Sequence, residues 1–533
     1  MCTVKTINDL FSDTVKRYPH KPALIFYDKT TLYHELDCQV SQAVDFLERH
    51  WIFPGERVAL LLPNCPQFVI MYLAALRAGC VVVAMNPLAP PAEVAFMVEQ
   101  TRPLLIVTLQ DFAKHNEAMR RAAPAECKMV SVSLAEDLPC HLRLLYRLKN
   151  WRHAPPDGSL TWDDVMKCDP VRRQFEWRRA KLSDLAILQF TGGTTGFPKA
   201  AKLTHGNIAN NVMQALGIVG DHVNEESVFL GVLPFFHVYA LSVCLNVALT
   251  RGGTLVVTPR FNAKQALKLI KHHQVTILPM VSRMLAALVK RPGIQKADFS
   301  SVKLCVHGAG ALHSDLRREA EETTGMTIIE GYGLSEASPI VSINPPENNR
   351  PGSLGKLVPE TEAKIVDGEL WVRGPQVMAG YWDNKLETEN VLTPDGWLKT
   401  GDMVRVDGQG FYWMEDRKKD MVKRRGENVF TPEIEKVIMV IHGVAEAAVV
   451  GVPAKADEKM VACVVKAPNS SVTEHSIISW CRSHLPSNKV PDEVAFFDEF
   501  PKNILGKVQK MHLRNLILLW SENKRRSQTA PLK

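Results

Sequence analysis

An α/β fold is predicted for this chain: a large N-terminal domain of mainly parallel sheets covered by helices, then a small mobile α+β domain. Three observations lead there. At 533 residues the chain exceeds what one hydrophobic core supports. From about Leu185 onward, strand-like and helix-like segments alternate. Past Glu415 a dense run of charge, Asp416-Arg-Lys-Lys-Asp-Met-Val-Lys-Arg-Arg425, interrupts the alternation, and a shorter set of elements follows.

In chain order, residues 185–190 (LAILQF) form a short apolar run that ends in a Gly-rich turn, as a buried strand does. Ile208, Val212, Ala215 and Leu216 then recur at helical spacing. Residues 254–258 read as a strand, and 262–274 as a helix with Ala266, Leu267, Leu269 and Ile270 turned inward. Residues 302–306 and 327–330 are further strands, with a charged helix between them. Residues 364–372 form a hairpin closed by Asp367-Gly368, a tight-turn dipeptide. By composition alone the charged run reads as a solvated linker. Beyond it come a helix (433–440), two strands (447–452 and 460–466) and a second helix (473–485). The expected domains are therefore residues 1–415 and 416–533.

Composition narrows the class. An apolar fraction of 46% and a charged fraction of 23% are those of an ordinary globular protein, and no repeat or low-complexity region stands out. The N-terminus lacks a secretory pattern, and no run of roughly 18 apolar residues occurs. Eleven scattered cysteines without a C-x-x-C pair read as reduced thiols of a cytoplasmic protein. A net charge of +7 suits anionic small molecules or acidic lipid, and no nucleic-acid module is visible.

Local chemistry is densest at Thr191-Gly-Gly-Thr-Thr-Gly-Phe-Pro-Lys199, directly after a strand. Gly192, Gly193 and Gly196 let backbone N–H groups turn toward an anion. Thr191, Thr194 and Thr195 add hydroxyls, and Lys199 adds a point charge. That combination suits a polyphosphate. The spacing is not that of the ordinary P-loop, G-x-x-x-x-G-K-[ST].

The stretch resembles the phosphate loop of the adenylate-forming (AMP-binding) superfamily, and further motifs of that family follow in order. His307-Gly-Ala-Gly-Ala-Leu312 and Gly331-Tyr-Gly-Leu-Ser-Glu336 resemble its adenine-binding elements, and Thr400-Gly-Asp402 its ribose motif. Asp416-Arg-Lys-Lys-Asp420 resembles its hinge, Gly426-Glu-Asn428 its thiol-side loop, and Gly506-Lys507 its C-terminal lysine motif. The resemblance runs from about Ile7 to the C-terminus. It implies ATP, Mg2+ and coenzyme A as cofactors, with Lys507, Lys199 and Glu336 as catalytic residues. Glu336 and Thr191 would hold Mg2+. Gly308, Ala309, Gly331, Tyr332, Gly333 and Ser335 would meet the nucleotide, with Tyr332 offering a ring face to adenine. Asp402 and Arg417 would meet the ribose hydroxyls. Gly426, Glu427 and Asn428 would face the thiol, and Lys419 would be the hinge. For Gly331 and Gly333 a plain turn role stays open. The chain departs from the family at Ala200 and His307, where glycine and Ser or Gly are commoner, and at Asn503, where Thr is usual.

Leu233-Pro-Phe-Phe-His-Val-Tyr-Ala-Leu241 resembles the family's acid-pocket motif. Phe236 and His237 stand where amino-acid-activating members carry an Asp, which disfavours an amino acid. His237 is either an acid-pocket residue or a packed core histidine. Through Pro259-Arg-Phe261 the chain is most similar to bacterial long-chain fatty acid–CoA ligases. The resemblance thus implies ATP-dependent conversion of a long or medium fatty acid to acyl-AMP, then transfer to coenzyme A. Three alternatives remain: an aryl-acid ligase of the 4-coumarate type, transfer to the phosphopantetheine of an acyl carrier protein, or a binding protein without chemistry.

Residues 138–151 (LPCHLRLLYRLKNW) place Leu142, Leu145, Leu148 and Trp151 on one side at helical spacing, among basic His141, Arg143, Arg147 and Lys149. Such a segment either lies on an anionic membrane or packs on the protein's own surface.

Overall fold

A computed structural model describes residues 5–27, 29–149, 158–168, 180–191, 198–418, 420–424, 427–453, 458–502 and 506–529. The chain divides into two compact units: Met1–Ala363 with Val372–Leu398, and Lys364–Trp371 with Lys399–Lys533. The first unit is built on two large sheets. One runs in the order Leu160–Thr161, Lys128–Val132, Leu105–Leu109, Arg57–Leu61, Val81–Ala84, Leu185–Thr191, Lys199–Thr204. It is parallel except for the final hairpin pair. The central strands are rich in valine, leucine and isoleucine and buried on both faces, as parallel strands covered by helices must be.

The second sheet places Ile328–Gly333, Leu304–His307, Ile277–Met280, Val228–Gly231, Thr254–Val257 and Pro22–Phe26 side by side in parallel, with antiparallel strands at both edges. The helix expected over 262–274 spans Ala263–His273. Asn262 caps it by accepting from the Gln265 N–H at 3.0 Å, and Gln274 ends it in a left-handed conformation. Ala266 and Ile270 are buried in the core over this sheet with Leu230, Leu278, Leu285 and Ile328, and Leu267 and Leu269 pack against it.

In the second unit, strands Val444–Pro453, Glu458–Lys466 and Glu493–Phe497 form a sheet. Helices Thr431–Met439 and Glu474–His484 bury Ile434, Ile438, Ile477 and Cys481 in one of its cores. Strands Leu398–Val406 and Tyr412–Arg417 pair antiparallel and lie, apart from Leu398, in this unit, ahead of the expected division at Glu415. The expected hairpin turn is present, with φ of 50° at Asp367 and 81° at Gly368. These are the positive angles that a two-residue turn of this kind requires.

The charged run is not wholly solvated. Asp416 is buried at the end of strand Tyr412–Arg417 and accepts from the Thr431 N–H at 2.8 Å. Burial raises its carboxyl above the ordinary carboxylate value, against Lys510. Val422 is buried as well. Charge composition reports the surface residues of a strand and hides those that anchor it. Among the described residues no helix is long and apolar enough to cross a membrane.

Candidate active site

Strand Leu185–Thr191 runs antiparallel to Lys199–Thr204 with Thr191 opposite Lys199. The two ends of the Gly/Thr loop therefore lie side by side, and the Thr191 hydroxyl donates to the Lys199 carbonyl at 3.3 Å. Gly192, Gly193, Thr194, Thr195 and Gly196 lie outside the described residues. Glu336 sits on the short helical turn Ser335–Ala337 and accepts from the Tyr381 hydroxyl at 2.8 Å. The Met378 N–H donates to the Glu336 carbonyl at 2.8 Å, so both backbone and side chain of Glu336 are held by one segment.

That segment also pairs antiparallel with the strand carrying Lys199. The Lys202 N–H donates to the Gly380 carbonyl at 2.9 Å and the Trp382 N–H to the Ala200 carbonyl at 2.8 Å. The Lys199 ammonium pairs with the Glu387 carboxylate and stands 5.6 Å from the centre of the Tyr381 ring. Burial first, and then the Glu336 carboxylate, push the Tyr381 hydroxyl far above its ordinary value, so it remains a donor. Sequence reading missed Tyr381 and Glu387. The one local signal was a Gly-Tyr pair ahead of a helix capped by Asn384.

A cavity of about 100 Å3 opens beside this cluster. Gly308, Ala309, Gly331, Tyr332, Gly333, Ser335 and His237 all line it, so residues from three separate motifs converge on one space. A Cβ on Gly333 would collide with the Pro339 carbonyl oxygen, so the close approach of the backbone there excludes any larger residue. The other wall is apolar, formed by Ala215, Val219, Val223, Phe229, Val243 and Val247. Val243 lies on the π-helix Leu241–Asn246, an uncommon element that recurs at functional sites.

His237 is a wall residue of this cavity; burial lowers its imidazole to about 4, and its Nδ1 accepts from the Tyr239 N–H at 3.4 Å. It is a neutral polar group in an apolar wall. His307 is likewise lowered to about 4, by burial and then by Arg317, and its Nε2 meets the Ser282 hydroxyl at 2.9 Å. Its Nδ1 is buried without a partner among the described residues, leaving a polar atom that a ligand could satisfy. Beneath Gly308 the Tyr239 ring closes the floor, its hydroxyl donating to the Val306 carbonyl at 2.8 Å.

Two models of known families match the chain: "AMP-binding enzyme" over residues 11–382, and "AMP-binding enzyme C-terminal domain" over residues 433–507. The chain belongs to the AMP-binding enzyme family. Its similarity extends to a long-chain-fatty-acid–CoA ligase of Bacillus subtilis, 34% identical, with 96% of this chain and 94% of that protein covered. A protein of the same name from Haemophilus influenzae is also 34% identical, at the same coverage. The fold matches the crystal structure of ATP-bound MatB from Rhodopseudomonas palustris with a TM-score of 0.84 at 26% identity, covering 96% of this chain and 99% of that one.

The family's remaining motif residues lie in the second unit. Asp402 faces Arg417 across the strand pair, its carboxylate 3.2 Å from the Arg417 Nε and almost wholly buried. The Asp402 N–H donates to the Thr400 hydroxyl at 3.1 Å, so the short motif braces itself. Lys419 and Gly426 lie outside the described residues, and Glu427 and Asn428 belong to strand Glu427–Val429. Lys507 follows Gly506, at φ 83°, in a loop closed by a bridge between Lys502 and Val508. The neighbouring lysines are structural. Lys502 pairs with Glu446 at 2.6 Å, and Lys510 with Glu435 at 2.6 Å and with the Thr431 hydroxyl at 2.7 Å.

Residues Cys140–Lys149 form the expected helix. Leu142 is half-buried, while Leu144, Leu145 and Leu148 are each about three-fifths exposed. Arg143 turns back to the Ala135 carbonyl at 3.1 Å. Trp151 lies outside the described residues.

Proposed function

We propose that the chain activates a long or medium fatty acid with ATP to acyl-AMP and passes the acyl group to coenzyme A. The observation that carries this reading is the cavity, which joins nucleotide-motif residues to a wall without charge. A carboxylate at the polar side can meet the α-phosphate while its alkyl chain is buried in the apolar part. Lys199 and Lys507 supply positive charge to anions that otherwise repel, and Asp402 with Arg417 holds the ribose.

Glu336 and Thr191 offer hard oxygen donors that fit Mg2+, and no cluster of three metal-ligating side chains occurs among the described residues. A Mg2+ bound mainly through phosphate oxygens and water needs no more than this. When bound it neutralises phosphate charge. Lys507 is assigned to the adenylation step, Lys419 to a hinge between half-reactions, and Gly426, Glu427 and Asn428 to the thiol side. A functional division into residues 1–415 and 416–533 rests on the hinge role given to Lys419, and it parts Asp402 from its partner Arg417.

The exposed leucines of helix Cys140–Lys149 support peripheral contact of a cytoplasmic protein with an anionic membrane. Replacing Leu144, Leu145 and Leu148 with Gln should weaken sedimentation with anionic vesicles severalfold and leave pyrophosphate release unchanged. Equal sedimentation of both forms would contradict the contact.

The main test is pyrophosphate release with a panel of acids, followed by thioester formation with coenzyme A and with acyl carrier protein. Release with fatty acids and transfer to coenzyme A are expected. Preference for cinnamate or benzoate would overturn the choice of acid, and preference for the carrier protein the choice of acceptor.

A further inference from the structure

Lys199 carries one positive charge at the end of the Gly/Thr loop, and the folded chain already supplies it with an anion. Glu387 lies on the short helix Lys385–Val391. The helix is held at two points: the Glu387 N–H donates to the Asn384 side chain at 3.1 Å, and the Thr388 hydroxyl accepts from the Tyr381 N–H at 2.9 Å. Its carboxylate meets the Lys199 ammonium over the Tyr381 ring. Neither partner is sealed, since the Lys199 side chain is 23% exposed and that of Glu387 33%. An incoming anion can therefore reach the ammonium without unfolding anything.

We propose that Glu387 is a built-in counter-anion for Lys199, which the polyphosphate of ATP must displace, and that it thereby sets the affinity for the nucleotide. The inference rests on the reading of Lys199 as a phosphate contact. Two carboxylates, Glu336 and Glu387, and one ammonium surround the Tyr381 ring, so the resting cluster carries one excess negative charge. A polyphosphate arriving there must repel Glu387 as well as replace it. The Tyr381 ring face attracts the ammonium without competing for it as an anion. Release of Lys199 from Glu387 therefore leaves it positioned over the ring and available to phosphate. A partly exposed ion pair is weak enough to be exchanged and strong enough to be measured.

The test is the dissociation constant for a non-hydrolysable ATP analogue with Mg2+. Glu387→Gln keeps the shape and removes the charge, and it should tighten binding by about two- to fivefold, with a larger gain at low salt. Glu389→Gln removes the same charge from the same helix, where Glu389 faces Lys385 at 3.7 Å instead, and should change nothing comparable. In a Lys199→Ala background the gain from Glu387→Gln should vanish. Should Glu387→Gln melt early, Glu387→Asp, which keeps the charge but draws it back, should give a smaller gain. Unchanged or weaker binding in both Glu387 variants would overturn the inference, as would an equal gain in Glu389→Gln or a gain that survives Lys199→Ala. If Lys199→Ala alone binds as tightly as the unmodified protein, the phosphate reading of Lys199 fails, and the inference falls with it.

Discussion

The two walls of the cavity differ in kind. One is a row of small apolar side chains, Ala215, Val219, Val223 and Val247 among them, in which every contact is worth little. The other leads through Ser335 to Glu336, Tyr381, Lys199 and Glu387, where each hydrogen bond or charge has a named partner. The apolar wall grades its affinity methylene by methylene and tolerates substitution of similar volume. The charged side works all or none, because an unpaired charge or a displaced donor loses its whole contribution. Substrate choice should therefore be tunable on one side, and chemistry fragile on the other.

The largest effect should come from charge. Lys507→Ala should slow acyl-AMP formation by about a hundred- to thousandfold. Synthetic acyl-AMP with coenzyme A should still give thioester at a near-normal rate. Lys502→Ala should leave both half-reactions nearly intact, and Lys510→Ala should lower the melting temperature, because it strips a partner from Glu435. Equal loss in both half-reactions of Lys507→Ala would break the contrast.

A smaller effect should follow in the apolar wall. Val219→Phe fills cavity space without touching charge. It should cut kcat/KM for the longest accepted acids by about sixtyfold, since about three methylenes of burial are forfeited. Short acids and the ATP KM should be nearly unaffected. A uniform loss across all chain lengths would show that the wall does more than measure length.

The smallest effect concerns pH. Burial lowers His205, His237 and His307 to about 4, below the ordinary imidazole value of about 6.5. The unfolded chain then binds more protons between those values, so stability rises with pH there. It is fully present above about 6.5 and lost as pH falls toward 4, by up to about 1.4 kcal/mol per pH unit for each ring. His205 lies apart from the cavity, with both ring nitrogens buried and unpartnered among the described residues. His205→Gln should therefore flatten the fall in melting temperature between pH 7 and pH 5, and an unchanged slope would contradict its part.

What could be read from the sequence follows the same division. Gly308, Gly331, Tyr332 and Ser335 were legible because each motif is local and its order along the chain is informative. The α/β alternation was legible because buried parallel strands need continuous apolar runs. Glu387 and Tyr381 were not, since their partners lie 188 and 45 residues away and an ion pair leaves no periodic trace. The stripe Leu142, Leu145 and Leu148 fitted a core face as well as a surface one. Only the packing of Tyr146 toward Asp111, with Leu144 turned out, shows which residues of that helix the body covers. In the same way Asp416 and Val422, buried within a charged run, could not be told from their solvated neighbours.

If the apolar wall reads the acyl chain while the charged cluster does the chemistry, adenylation must respond to the length of the acid. The direct measurement is kcat/KM for ATP-dependent adenylation over a series of straight-chain acids, with cinnamate and benzoate alongside. A climb of about fourfold per added methylene is expected until the cavity is full, followed by a plateau or fall. A flat series, or a maximum at the aromatic acids, would contradict it.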